Sequence, residues 1–428
     1  MNLRQHIRPI LKWLTPGIGV KRWLLLLACG IALLSLGFSF LLRQFYPLPS
    51  IFHYLTFQFI PRGPRAGLFG LAGAAAVVLA LFGLNKALLE PFVEPDPEAV
   101  VNAVYRYRQR ERGPKVIAIG GGHGLSTLLR GLKQYTSNVT AIVTVADDGG
   151  SSGRLRRELG VLPPGDLRNC ITALADDEAL MTQLFQYRFG DGTGLNGHCF
   201  GNLFITAMAE VTGSFERAIL ESGRVLAVQG RVLPSTLHDV TLTADLRTEP
   251  AGRDGVVTSP IRVTGQSSIT GADGDIERVY LEPDNVPAYP DAVRALLEAD
   301  LIVAGPGSLY TSILPNLLVQ DVARAIATSQ ALKVYVCNVA TQRGETDGYS
   351  VGDHITALEA HVGPILFPVV LANGNLGVDF DTSPGVELVP VDFSPDAGYQ
   401  VITADLIDPA HPWRHDSDKL ARALLRLL

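Results

Sequence analysis

Apolar positions fall into two regimes along the chain. Near the start, residues 23–42 between Arg22 and Arg43, and residues 66–84 after Arg65, contain no charge. Each run is long enough to cross about 30 Å of hydrocarbon as a helix, which predicts a transmembrane hairpin. Beyond residue 114, short β-branched runs alternate with helical stretches. Strands are predicted at 115–119 (KVIAI), 139–146 (VTAIVTVA), 301–304 (LIVA) and 333–336 (KVYV), and helices at 126–133, 167–176, 178–187 and 202–211. That order predicts an α/β fold with a Rossmann-like, doubly wound, mostly parallel sheet. From 224 to 281 the pattern alternates instead, at 231–233 and 240–244, with Gly271, Asp273 and Gly274 as turn signals; this reads as a β-rich insertion. Residues 364–407 read as loop-rich, before a final amphipathic helix at 419–428. The expected domains are an anchor (1–94), a basic linker helix (95–113) and a main domain (114–428).

Charge sharpens this division. Of 428 residues, 47% are apolar, too many for a disordered polyelectrolyte. Residues 1–113 carry 13 basic and 5 acidic side chains, so the overall charge of −6 leaves −14 on the remainder. An acidic main domain argues against a nucleic-acid surface, which needs a basic stripe. Basic residues flank the hairpin at Arg4, Arg8, Lys12, Lys21 and Arg22, and at Lys86, Arg106, Arg108, Arg110, Arg112 and Lys115. The positive-inside rule then puts both termini and the main domain on the cytoplasmic side of the membrane. Cys29, Cys170, Cys199 and Cys337 have no metal-type spacing and read as buried thiols in a reducing compartment.

The candidate chemistry lies in the loops that follow strands. Gly120-Gly121-Gly122-His123-Gly124-Leu125-Ser126 joins a strand to a helix, where missing Cβ atoms let amides approach an anion. Counting from Gly120, Leu125 stands where the third glycine of a dinucleotide fingerprint belongs, so NAD(P) binding by an oxidoreductase is a weaker reading. Residues 144–154 bring Thr144, Asp147, Asp148, Ser151 and Arg154 onto a glycine-rich loop. Its carboxylates suit a ribose or Mg²⁺ held by Asp147 and Asp148, and its guanidinium suits phosphate. Asp166 reads as the N-cap of the next helix, with Arg168 beside it. His198 precedes a further helix and reads first as a structural hydrogen-bonder. Gly305-Pro306-Gly307-Ser308 with Thr311, and the stretch 338–346, follow later strands and add hydroxyl, amide and backbone donors at the same sheet edge. Arg414 is either an anion ligand or a surface charge. Asp416 or Ser417 suits the cap of the last helix.

These stretches resemble one family. GGGHGLS at Gly120, TVADDGGSSGRLRRELG at Thr144, LPPGDLRN at Leu162, GHCFGNL at Gly197, GPGSLYTSILPNLLV at Gly305 and ATQRGETDGYS at Ala340 are similar to the YvcK-like gluconeogenesis factors of the CofD (2-phospho-L-lactate transferase) superfamily. The resemblance runs from about Pro114 to the C-terminus. It implies a CofD-like nucleotide-binding domain that takes a UDP-sugar such as UDP-N-acetylglucosamine, and a role in cell shape and peptidoglycan supply. Its alternative implication is Mg²⁺-dependent transfer of a phospholactyl group from a guanosine-linked donor. Gly120 to Gly124, Asp147, Asp148, Arg154, Asp166, Asn169, Asn202, Gly305 to Ser308, Thr311, Asn338 and Thr341 become pocket residues by that resemblance. His123 departs from the family's usual Thr, and residues 339–343 also depart from its pattern. Expected partners are the nucleotide-sugar, the membrane and cell-wall synthesis proteins. Homo-oligomerisation, and whether any bond is made or broken, are left open.

Overall fold

The computed structural model describes residues 110–428, apart from 177–178, 191, 193, 248–259, 378–385 and 395–397, together with single residues between 31 and 77. The chain divides into two compact units, Met1–Gln109 and Arg110–Leu428. In the first unit the described residues include helical positions such as Ile31, Ser35, Leu68 and Leu71. Among the described residues no helix is long and apolar enough to cross a membrane. Most of the runs 23–42 and 66–84 and of the linker 95–113 lies outside the described residues.

The second unit is built on a seven-stranded parallel sheet. Its strands are β1 (Val116–Gly120), β2 (Val139–Val143), β3 (Arg231–Pro234), β7 (Leu301–Ala304), β8 (Leu332–Val336), β9 (Val369–Asn373) and β10 (Gln400–Ala404), in the spatial order β10-β9-β8-β7-β1-β2-β3. β1 is an interior strand, pairing Val116 with both Val139 and Leu301. Its first four residues are at most 2% exposed. Continuous apolar strands of this kind need both sheet faces covered. The chain runs from β1 outward to β3, returns to β7, then winds the other way, which places the topological switch point between β1 and β7. Right-handed crossovers put the helices that follow β1 and β7 on opposite faces. One set is α1 (Gly122–Leu132) and α3 (Gly165–Leu174), on which α12 (Ser417–Leu425) also packs. The other pairs α8 (Pro290–Leu297) with α10 (Gln320–Thr328). Between β3 and β7 lies an antiparallel sheet, β4 (Thr241–Arg247), β5 (Ile261–Thr264) and β6 (Asp275–Glu282), ordered β5-β4-β6.

Four expectations need correction. Residues 231–233 do not belong to the insertion: β3 pairs with β2, Thr140 opposite Arg231, as the edge of the main sheet. A half-covered edge strand alternates in polarity just as an insertion strand does. Arg224 lies in the last turn of helix α6 (Phe215–Val225), so it too is outside the insertion. The stretch 364–407 contains β9 and β10, which extend the main sheet in two five-residue strands. The strand predicted at 139–146 stops at Val143, because Ala146 N–H donates to Thr144 Oγ1 (3.2 Å) and turns the chain.

Candidate functional site

Three helices begin at the carboxyl edge of the sheet without a side-chain cap: α1 after Gly121, α2 (Gly150–Leu159) after Gly149, and α5 (Phe200–Thr212) after Cys199. First-turn amides have no acceptor within their own helix, and the helix dipole makes that end positive. The glycines are sterically required. A Cβ on Gly121 would strike Asp166 Oδ2 and lie 3.1 Å from Thr144 Cγ2; one on Gly124 would lie 2.8 Å from Gly307 Cα. The β1–α1 loop is therefore packed between the 144–148 loop, Asp166 and the Gly305–Ser308 turn. Asn316 locks it from below, donating Nδ2–H to Gly120 O (3.0 Å) and Ser312 O (2.8 Å). Leu125 and Thr144 are buried, so beneath the loop they act as packing.

Acidic groups meet at the same place. Asp166 is not the N-cap of α3, a place held by Pro164; it lies in the first turn, and its carboxylate faces the Gly122 amide. Burial, then the charge of Asp147, pushes its pKa up to about 7. Burial, with smaller help from Asp148, also raises Asp147. Asp147 Oδ1 accepts from Gly149 N–H (2.9 Å). Asp148 turns elsewhere, its Oδ1 accepting from Ser267 N–H (2.9 Å) beside β5, which ties the insertion to this loop. Thus the acid that shares the buried ground with Asp147 is Asp166, and one oxygen of Asp148 is already committed. Among the described residues no group of three or more metal-type side chains occurs. Two carboxylates are the usual protein share for Mg²⁺ held with substrate phosphates, so Asp147 and Asp166 fit that ion as hard oxygen donors.

The cationic side is held by amides. Arg168 is 9% exposed and donates to Asn202 Oδ1 (3.0 Å) and Asn169 Oδ1 (2.7 Å). Asn202 in turn donates to Ser152 Oγ (3.3 Å) at the start of α2. Arg168 has no ion pair among the described residues, and its charge acts on Asp147, Asp166 and His123. Partial burial, then the charges of Arg414, Arg130 and Arg168, lower the His123 pKa, which leaves this ring neutral at pH 7. Arg414, exposed on its own segment, thus reaches the glycine loop electrostatically. Half-buried Arg154 packs against Gly197 and lowers His198, after the larger effect of burial. His198 and Ser151 are turned inward: Ser151 Oγ shares a hydrogen bond with His198 Nδ1 (3.2 Å) and accepts from Cys199 N–H (3.2 Å).

The later loops are more self-contained than the sequence implied. Gly307 N–H is spent on Asn338 Oδ1 (3.1 Å), and Thr341 Oγ1 accepts from Glu387 N–H (3.0 Å). Thr311 lies in a π-helical turn, Leu309–Ile313, and donates to Glu345 Oε1 (2.9 Å). Ser308 donates to Gln342 Oε1 (2.5 Å). Gln342, Glu345 and Asn316 were not among the sequence-derived site residues, although all three organise loops that were.

Comparison with known proteins agrees with this architecture. The family model described as 2-phospho-L-lactate transferase CofD matches residues 116–425. A relative from Nostoc sp. (strain PCC 7120) is 46% identical over 97% of this chain and 92% of its own length. The protein of Bacillus subtilis (strain 168) named "Gluconeogenesis factor" is 44% identical over 74% of this chain and 98% of its own. A crystal structure from Bacillus halodurans, of a member of the upf0052 family, aligns with a TM-score of 0.65 and 43% identity, covering 73% of this chain and 99% of that one. Matched across its main domain by that model and along nearly its full length by such relatives, the chain belongs to the CofD family, in its gluconeogenesis-factor (YvcK-like) group.

Proposed function

We propose that this protein binds a nucleotide-sugar of the UDP-N-acetylglucosamine type at the carboxyl edge of its sheet, and that the bound state regulates peptidoglycan supply and cell shape. In this reading, helices over 23–42 and 66–84 tether it to the cytoplasmic membrane with both termini inside, beside cell-wall synthesis proteins. The carrying observation is the set of helix N-termini left uncapped at one rim. A diphosphate supplies the negative charge that such ends attract. Arg154 and Arg168 are free of carboxylate partners among the described residues and suit the phosphate oxygens. Calorimetric titration of the full-length chain with UDP-N-acetylglucosamine, GDP and NADH tests the reading. Saturable binding of the UDP-sugar without turnover supports it, and saturable NADH binding with no response to the UDP-sugar overturns it.

The acid pair favours a second reading, Mg²⁺-dependent transfer of the CofD type. Asp147 and Asp166 would hold the cation, whose charge would draw both carboxyls back to the ionised form. The ion would neutralise a donor diphosphate, while Arg168 and the α1 amides orient it. Appearance of a phospholactyl product from a guanosine-linked donor and a deazaflavin acceptor would put this reading first.

A further inference from the structure

Behind the Gly305–Ser308 turn lies a carboxyl group that the site described above does not use. Glu345 is 4% exposed and has no ion pair among the described residues. Its Oε1 accepts from Thr311 Oγ1 (2.9 Å) and from Gln342 Nε2 (2.8 Å). The other end of the Gln342 amide, Oε1, accepts from Ser308 Oγ. A continuous path therefore runs from the buried carboxylate through one amide to the hydroxyl at the tip of the turn, with a direct branch to the π-helical segment behind it. The amides of Tyr310 and Thr311 also face Glu345 and favour its charged form. Its Oε2 is buried with no hydrogen-bond partner.

The energetics link the carboxylate to the loop. Burial pushes the Glu345 pKa up to about 7, and the opposing influences come from Thr311, Tyr310 and Ser308. The charge is thus stabilised by donors of the segment that it holds. Ordering the segment favours the charge, and the charge orders the segment. A half-satisfied buried carboxylate is costly as mere scaffolding, because an apolar side chain of the same size would avoid its desolvation. Positioning of the turn gives the cost a purpose.

We propose that Glu345 is a positioning residue of the ligand site: through Gln342 and Thr311 it fixes Ser308 and the turn behind it, and so sets how firmly the Gly305–Ser308 loop closes on a nucleotide ligand. The last clause rests on the nucleotide-sugar reading; the fixing of the loop does not. The test is hydrogen–deuterium exchange of the unliganded full-length chain, followed by titration with UDP-N-acetylglucosamine. In Glu345→Ala, exchange over 308–313 should accelerate at least tenfold while 116–120 and 139–143 stay at the wild-type rate. Glu345→Gln retains an acceptor for Thr311 and should restore most of the protection. Should Glu345→Ala fail to fold, Gln342→Ala carries the same comparison at Ser308, since it cuts the path and leaves the carboxyl in place. Unchanged exchange over 308–313, or equal acceleration throughout the sheet, would overturn the proposal. UDP-sugar affinity should fall at least tenfold in the variant whose loop is loosened and recover in Glu345→Gln. Undiminished affinity in the loosened variant refutes the loop's role in gripping ligand. Absence of UDP-sugar binding by the wild type would remove the nucleotide-sugar reading, while the exchange data still decide what Glu345 does.

Discussion

Asp166 gives the most informative perturbation, because its environment makes folding itself depend on pH. Its carboxyl moves from an ordinary 3.8 to about 7 in the folded chain. The native state therefore binds a proton more tightly than the unfolded state, and stability declines as pH rises from about 4 to about 7, then levels off. The rise corresponds to a ceiling of about 4 kcal/mol above pH 7. Asp166 keeps part of its surface in water, so solvent screening reduces the expected effect to about 2 kcal/mol. Asp166→Asn keeps an acceptor for the Gly122 amide and removes the charge. Urea unfolding of the full-length chain at pH 4.5 and pH 8 should show little difference between wild type and variant at the lower pH. At the higher pH the variant should be more stable by about 2 kcal/mol. Some slope should persist in the variant, because Asp147 is shifted in the same direction. A variant that is equally or less stable than wild type at pH 8 would refute the picture of a desolvated acid pair beneath the glycine loop.

Further outcomes follow from the same geometry. Asn316→Ala should cost about 1–2 kcal/mol in urea unfolding, since it removes the amide that joins the buried carbonyls of Gly120 and Ser312, although Gly120 O keeps the Thr144 N–H; a loss under about 0.5 kcal/mol would show that water replaces it. Arg154→Ala should lower UDP-sugar affinity at least tenfold in calorimetry with the unfolding midpoint unchanged, and full affinity would remove Arg154 from the site. A chain starting at Asp96 should fold as a soluble domain, as judged by a cooperative thermal transition, since the Bacillus subtilis relative matches 74% of this chain with 98% of its own length. Aggregation of that shortened chain would mean that the first unit supports the fold.

The central fold was legible because its strongest signals are local. β1, β7 and β8 are short buried runs ending in glycine or polar turns, and Leu301–Ala304 is the strand over the residues read from sequence. Asp416 caps the last helix as its position suggested, accepting from the amides of Asp418 and Lys419. The misreadings arose where tertiary contacts decide. β3 looks like an insertion strand until β2 is beside it. Asp166 resembles a cap until Pro164 takes that place and its carboxylate meets the glycine loop. Asp147 and Asp148 are neighbours in sequence, yet Ser267, 119 residues away, draws one of them off. Glu345 and Gln342 sit in the stretch 338–346, which reads as a source of donors at the sheet edge, and it is the packing of the π-helical turn that buries the Glu345 carboxyl. No spacing in the sequence marks that contact, although the stretch does follow a buried strand.

The central claim is that the first-turn amides of α1, together with the guanidiniums of Arg154 and Arg168, hold the phosphates of a nucleotide. A crystal structure of the full-length chain with UDP-N-acetylglucosamine measures this directly. Phosphate oxygens should lie within about 3 Å of the amides of His123 or Gly124, with the nucleoside along the carboxyl edge between β1 and β7. Phosphates bound on another surface, with those amides facing only water, would contradict the account.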